Sequence, residues 1–158
     1  MILCLIGVGM LTRDFVSTVY IVKDRKVLLI FHRKLNMWLP PGGHIDKDEL
    51  PCDAAKREVL EETGLKVELI GKEEPLGEGV KKLVHPIVLQ LEDIHEGHQH
   101  IDLVYYGCVN GGAIKFDNKE CSDIMWASID NLNNIKAPEN VRIYGRKAIE
   151  ELSNKLVQ

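Results

Sequence analysis

The sequence predicts a single layered α/β domain, and three features support that prediction. The chain has 158 residues, which suits one domain of ordinary size. Hydrophobic residues make up 45% of the chain and charged residues 28%, a composition typical of a globular protein. Stretches rich in β-branched and aromatic residues alternate with two segments of helical character. Strands, helix, strands and helix therefore follow one another along the chain.

The chain is predicted to enter this domain through a β-hairpin. FVSTVYIV (15–22) is β-branched and aromatic, KVLLIFHR (26–33) is largely apolar, and a charged turn separates the two. The loop that follows has two prolines and two glycines at 40–43, which exclude a helix there.

The first helix is predicted from about Glu49 to Thr63. Asp46 or Asp48 is the expected N-cap, and a negative charge at Glu49 is favourable near a helix N-terminus. Gly64 supplies the left-handed residue with which many helices end.

The second half of the chain predicts four more strands and a final helix. The strand segments are LKVELIG (65–71), LVHPIVLQLEDI (83–94), QHIDLVYYGCVN (99–110) and CSDIMWASI (121–129). Pro138 suits the first turn of a helix, and apolar residues recur at helical spacing after it. The last helix is therefore expected to be amphipathic.

Residues 1–11 are predicted to form an apolar extension of a single domain at 12–158. The stretch MILCLIGVGML is too short to span a bilayer and has no basic segment ahead of it. It is interpreted as an extra strand or a contact that supports a homodimer. The alternative is an upstream extension, with the natural start at Met10.

Charge and cysteine content indicate a cytoplasmic protein that binds neither nucleic acid nor a membrane. The net charge is −4, so no broadly basic face is expected to follow a phosphate backbone. The four cysteines are far apart and form no C-x-x-C pair, which indicates reduced thiols rather than disulfides or a zinc site.

The first predicted helix gathers carboxylates on one side. Each helical residue turns by about 100°, so Glu58, Glu61 and Glu62 occupy one arc of about 100°. Arg57 precedes Glu61 by four residues and is expected to hold one carboxylate in place for its neighbours. Two adjacent glycines lie ahead of this helix, where a main chain without a Cβ atom can approach a ligand closely. Hard cations such as Mg²⁺ take oxygen ligands of this kind.

The spacing within this segment is specific. Gly43, five residues, Glu49, seven residues and then REVLEETGL (57–65) reproduce G-x5-E-x7-R-E-U-x-E-E-x-G-U, where U is aliphatic. The segment therefore resembles the Nudix box, and the chain resembles the Nudix hydrolase family. The box covers 23 of the 158 residues. The resemblance implies a Nudix-type α/β/α sandwich with a mixed β-sheet.

This resemblance also implies an activity and a set of site residues. Nudix enzymes use Mg²⁺ or Mn²⁺ to hydrolyse a diphosphate bond in a nucleoside diphosphate derivative, and water attacks phosphorus. The implied metal ligands are Gly43, Glu58, Glu61 and Glu62, and the implied catalytic residues within the box are Glu61 and Arg57. Glu61 is alternatively an outer group paired with Arg57, and Glu49 has a supporting role.

A further acid is expected outside the box, as a metal ligand or general base. Glu120 lies six residues before Trp126, an arrangement similar to the mutator-type members of the family, and it is preferred over Asp102. Asp102 alternates with His98 and His100 along a predicted strand and is expected to contact substrate. With His95, these residues alternatively suit zinc or nickel.

Substrate phosphate or sugar is expected at the end of the second strand. His32 and Arg33 lie there, and the arginine side chain suits phosphate. Neither the proline of ADP-ribose-cleaving members, expected near Lys81, nor the tyrosine of the dinucleoside-polyphosphate type is present. This favours a nucleoside triphosphate or another small nucleotide. The alternative function is a non-catalytic Nudix-fold module that senses a nucleotide.

Overall fold

The computed structural model describes residues 10–115 and 121–155. The strands of these residues are β1 (Thr12–Lys23), β2 (Lys26–His32), β3 (Met37–Leu39), β4 (Gly42–His44), β5 (Leu65–Leu69), β6 (Glu74–Gly77), β7 (Val80–Lys82), β8 (Val88–His95), β9 (His98–Gly112) and β10 (Cys121–Ala127). The helices are α1 (Pro51–Thr63), α2 (Ile129–Asn134) and α3 (Glu139–Lys155).

A mixed sheet organises the domain. Its central path is β10-β2-β1-β9-β5, while β3 pairs with β2, β4 with β1 and β8 with β9. The central strands β1 and β9 are parallel, and the pairs around them are antiparallel. The short strands β6 and β7 form a separate hairpin.

Helices cover both faces of this sheet. Along β1, Val19 and Ile21 belong to the core that α1 closes, whereas Tyr20 and Val22 belong to the core that α2 and α3 close. This alternation follows from the two-residue period of a strand, which sends successive side chains to opposite faces. The predicted α/β/α sandwich with a mixed sheet is confirmed.

The predicted start of the first helix was wrong. The helix begins at Pro51, its N-cap is Leu50, and no side chain caps it. Pro51 holds Leu50 in an extended conformation, with φ of −77° and ψ of 143°. Asp48 is left-handed, with φ of 66°, so the chain turns before the helix begins. The predicted end is confirmed, since Gly64 is left-handed and donates its N–H to the Leu60 carbonyl.

The other differences concern short elements. The predicted loop after β2 contains β3 and β4, and the strand predicted from residue 83 begins at Val88, after Pro86. The hairpin β6–β7 was not predicted. Neither was α2, which begins where Ser128 and Asn131 form a reciprocal capping box. Within the described residues, no helix is both long and apolar enough to cross a membrane.

Two predictions fall outside the described residues. The apolar extension lies there except for Met10 and Leu11, which are exposed, so its structural interpretation stays a prediction. Glu120 lies in the other gap, immediately before β10.

Candidate active site

The strand β4 brings the glycine pair against both the sheet and α1. Ser17 is the register partner of Gly43, and Thr18 is the partner of Gly42. A Cβ atom on Gly42 would lie 2.4 Å from the carbonyl oxygen of Ser17. Glycine is therefore required here by the close approach of two main chains.

Gly43 makes an equally close approach to a carboxylate. A Cβ atom on this residue would lie 2.6 Å from Cδ and Oε1 of Glu58. The absence of a side chain at Gly43 thus lets the Glu58 carboxylate reach the main chain of β4. Two residues predicted as metal ligands are in this way brought together.

Arg57 is the centre of an ion-pair cluster around the same helix. Its Nε and Nη2 atoms donate to the two carboxylate oxygens of Glu49, each at 2.9 Å. Its Nη1 atom donates to Glu58 Oε1 at 2.7 Å, and Nη2 also donates to the His44 carbonyl oxygen at 2.9 Å. The planar guanidinium can make these contacts together because its donors point in fixed directions. Arg57 therefore links the loop before α1, the helix and β4.

These contacts change the protonation equilibria of both partners. Hydrogen bonds from Arg57 hold the pKa of Glu49 below its ordinary value. The bond to Glu49 in turn raises the pKa of Arg57, despite partial burial. The backbone N–H of Asp46 donates to Glu49 Oε2 at 3.0 Å, so Asp46 supports Glu49 rather than capping the helix.

Three carboxylates of the box contact Arg57, and the side chain of Glu61 is the most exposed of the three. Its Oε2 atom lies 3.5 Å from Arg57 Nη1, and 61% of its side chain is accessible. This geometry agrees with the alternative in which Glu61 is an outer group paired with Arg57. Its predicted roles in metal binding and catalysis stay predictions.

Glu62 is nearly buried and is anchored to the glycine pair. It is 8% exposed, and its Oε2 atom accepts the backbone N–H of Gly42 at 2.9 Å. The Cys121 thiol at the start of β10 donates to Glu62 Oε1 at 3.8 Å. Glu58 and Glu62, one helical turn apart, are therefore held against adjacent residues of β4.

The predicted substrate residues at the end of β2 lie next to Cys121 of β10. His32 is the register partner of Cys121, and Arg33 Nε donates to the Cys121 carbonyl oxygen at 3.3 Å. His32 accepts the backbone N–H of Leu35 at its Nδ1 atom, at 3.2 Å. Cys121 thus connects the end of β2 to Glu62, a link that the sequence pattern did not identify. No spacing in the sequence points to it, because the contact depends on strand register.

Asp102 occupies a different place, inside the sheet layer that faces α3. It is 3% exposed, its Oδ2 atom accepts from Gln90 at 3.3 Å, and its Oδ1 atom has no hydrogen-bond partner among the described residues. Burial, with Glu92 nearby, raises the pKa of Asp102 to about 7. Glu92 accepts from Gln90 and from Asn140 of α3. The predicted contact of Asp102 with substrate stays a prediction.

The donor set around β4 suits a hard divalent cation. Arg57 supplies one positive charge to four carboxylates within 4 Å of its nitrogens, those of Asp46, Glu49, Glu58 and Glu61. Glu62 adds a fifth carboxylate through Gly42. Mg²⁺ and Mn²⁺ prefer oxygen ligands of this type, with the remaining positions filled by water and substrate phosphates.

Known proteins resemble this chain in fold and in sequence. A solved hydrolase of the NUDIX family from Clostridium perfringens is 36% identical, with a TM-score of 0.78 over 90% of this chain and 99% of that one. The m7GpppN-mRNA hydrolase NUDT17 of Xenopus laevis is 28% identical over 145 residues, 85% of this chain. The matched region spans only 45% of that relative's length. An RNA pyrophosphohydrolase of Pelagibacter ubique is 27% identical over 90% of this chain and 94% of its own.

These names agree with the predicted class of enzyme, a pyrophosphohydrolase. They do not support the prediction that nucleic acid is excluded as a partner, which stays a prediction. The NUDIX domain profile matches residues 12–152. The chain therefore belongs to the NUDIX family of hydrolases.

Proposed function

We propose that this chain is a pyrophosphohydrolase that uses Mg²⁺ or Mn²⁺ to cleave the diphosphate bond of a nucleotide. The substrate class is a nucleoside diphosphate or triphosphate, or a nucleoside diphosphate derivative. One observation carries the proposal: Glu58 and Glu62 of α1 both lie against the glycine pair of β4. That arrangement gathers two carboxylates at one stretch of main chain, and hard cations prefer oxygen ligands of this kind.

Hydrogen bonds within the chain fix the positions of the proposed metal ligands. Glu58, Glu62 and the Gly43 carbonyl would hold the cation, which would neutralise phosphate charge and lower the pKa of a bound water. Arg57 fixes Glu58 through the 2.7 Å hydrogen bond, while Glu49 fixes Arg57 through two bonds. Preorganised charges of this kind need no rearrangement as charge develops in the reaction.

The end of β2 supplies the positive charge that a polyphosphate needs. Arg33 is anchored through Nε to Cys121, whose thiol contacts Glu62. We assign Arg33 and His32 to substrate phosphate or sugar, because both lie at the end of β2, which Cys121 links to Glu62. Glu120 directly precedes Cys121 in sequence and is assigned as the ligand or general base outside the box.

The relatives widen the range of substrates to be tested. One is named for hydrolysis of m7GpppN-mRNA and another for RNA pyrophosphohydrolysis. A panel should therefore contain nucleoside triphosphates, nucleoside diphosphate derivatives, and RNA with triphosphate or capped 5′ ends. Mg²⁺-dependent release of phosphate or diphosphate from a panel member, abolished by chelator, is the expected result. Saturable nucleotide binding without any hydrolysis would instead support the sensor module.

The acid outside the box is tested by a pair of variants. Glu120→Gln should lower kcat with little change in KM, because its role lies in the transition state. Asp102→Asn should raise KM more than it lowers kcat if Asp102 contacts substrate. A silent Glu120→Gln together with a nearly inactive Asp102→Asn would reverse the assignment.

A further inference from the structure

A cluster of imidazoles and one carboxylate lies at the end of the sheet where β9 begins. Asp14, His44 and His100 offer ligand atoms that all lie within 4.8 Å of one another. His98 adjoins them, with Nε2 at 3.6 Å from Asp14 Oδ2. The hydrolysis proposed above uses none of these side chains.

Strand register, rather than sequence spacing, produces this cluster. Asp14 on β1 is the partner of His100 on β9, and His44 on β4 is the partner of Val16 on β1. Asp14 and Val16 lie two residues apart, so their side chains share a face of the strand. Three adjacent strands thus direct these groups to one place.

The predicted set of His95, His98, His100 and Asp102 is corrected accordingly, because Asp102 is buried beside Glu92.

We propose that Asp14, His44 and His100 form a binding site for a divalent transition metal of the Zn²⁺ or Co²⁺ type, with His98 as an additional ligand. Two nitrogen ligands and a carboxylate, with positions left for water, are a common ligand set for such metals. Mg²⁺ is disfavoured here because it prefers an environment of oxygen atoms alone.

Two of the distances between ligand atoms are compatible with a shared metal ion. Asp14 Oδ2 lies 3.6 Å from both His44 Nε2 and His98 Nε2. That separation is too long for a good hydrogen bond. It is close to the separation of about 3.4 Å between two ligand atoms on a tetrahedral zinc ion. The ligand atoms of Asp14, His44 and His100 all lie within 4.8 Å of one another, so binding a metal ion would require rotations of the side chains.

Neighbouring groups orient the imidazole rings. The Thr12 hydroxyl lies 2.9 Å from His98 Nδ1, so this contact orients the ring while Nε2 points to Asp14. A hydrogen bond at the second ring nitrogen is the usual support of a metal-bound histidine. The ring of His100 meets those of His44 and His98 edge-on, at centroid distances of 5.0 and 5.1 Å.

The test is a titration of the metal-free protein with Co²⁺ in the presence of excess Mg²⁺, followed by the visible d–d absorption. The Mg²⁺ is included to compete for the box carboxylates. The expected result is saturable uptake of about one Co²⁺ per chain, displaced by Zn²⁺. His44→Ala and His100→Ala should each weaken the affinity at least about tenfold, since even the loss of an outer partner of a ligand has an effect of that size.

Controls separate this site from the proposed active site. His85→Ala, an exposed histidine in the segment before β8, should bind Co²⁺ as the unaltered protein does. Glu62→Gln should also bind it, whatever happens to hydrolysis. Asp14→Asn decides the matter if a histidine variant fails to fold, because Asp14 is half-exposed and the change keeps its shape. Weak, unsaturable uptake of Co²⁺ by the unaltered protein would overturn the proposal. So would an affinity for Co²⁺ in Asp14→Asn and in the foldable histidine variants equal to that of the unaltered protein.

Discussion

Two clusters of ionisable side chains meet at the three-residue strand β4, and they differ in their donor atoms. Gly42 and Gly43 contact the carboxylates of Glu62 and Glu58, whereas the next residue, His44, faces Asp14 and the other histidines. The first cluster offers oxygen almost exclusively, and the second offers mainly imidazole nitrogen. Under the two proposals, one short strand positions ligands for two classes of cation, hard and borderline.

The clusters also differ in how firmly they are held. The carboxylates are tied by Arg57 and by the Gly42 N–H at distances of 2.7 to 2.9 Å. The histidine cluster is joined by contacts of 3.6 Å to Asp14. We therefore expect the carboxylate cluster to be preorganised and the histidine cluster to be tightened by its metal.

Glu62→Gln should have the largest consequence. The amide keeps the shape of the side chain but removes the charge that would face a cation. We expect kcat to fall by at least about a hundredfold, comparable to the loss of one strong electrostatic group in an active site. Steady-state hydrolysis with Mg²⁺ measures this, and near-normal turnover would remove Glu62 from the site.

Gly43→Ala and Gly42→Ala form a matched pair with different outcomes. A Cβ atom at Gly43 would meet the Glu58 carboxylate, whereas one at Gly42 would meet the Ser17 main chain. We expect Gly43→Ala to displace Glu58 and lower kcat by roughly ten- to a hundredfold with the fold kept, since small misplacements have such effects. Gly42→Ala should instead lower the melting temperature. Equal losses of stability in both variants would contradict this account of β4.

Asp102→Asn should change stability in a pH-dependent way. The pKa of Asp102 is about 7 in the folded protein, against an ordinary value of 3.8. The folded state therefore holds its proton longer, and stability falls as pH rises from about 4 to 7. Asparagine removes this loss, so the melting temperature of the variant relative to the unaltered protein should rise between pH 5 and pH 8. Measurements in chelator keep metal from contributing, and a constant difference would show that Asp102 is ionised throughout.

Removal of residues 1–8 should have the smallest effect on catalysis, because no residue of the box lies there. We expect unchanged kcat and KM, and a change in oligomeric state if this apolar stretch supports a homodimer. Kinetics combined with size-exclusion chromatography measure both. Loss of kcat with an unchanged circular dichroism spectrum would place the segment in the active site.

The two clusters were predictable to different degrees. Glu58 and Glu62 could be grouped from sequence because residues four apart lie on one side of a helix. Gly43 and Arg57 joined them through the resemblance to the Nudix box. The helix start was missed because Pro51 acts on the residue before it, while the nearby aspartates suggested a cap. The histidine cluster needed the register of β4, β1 and β9, which joins Asp14 to His100 across 86 positions of sequence. Local patterns contain no information about such pairing.

The proposed hydrolysis depends on the binding of a hard cation by the box carboxylates. Its most direct test is Mn²⁺ binding, measured by electron paramagnetic resonance, with Zn²⁺ present to fill the histidine cluster. The unaltered protein should bind Mn²⁺ saturably, and the double variant Glu58→Gln, Glu62→Gln should lose that binding while keeping its fold. Mn²⁺ binding by the double variant with unchanged affinity would contradict the claim.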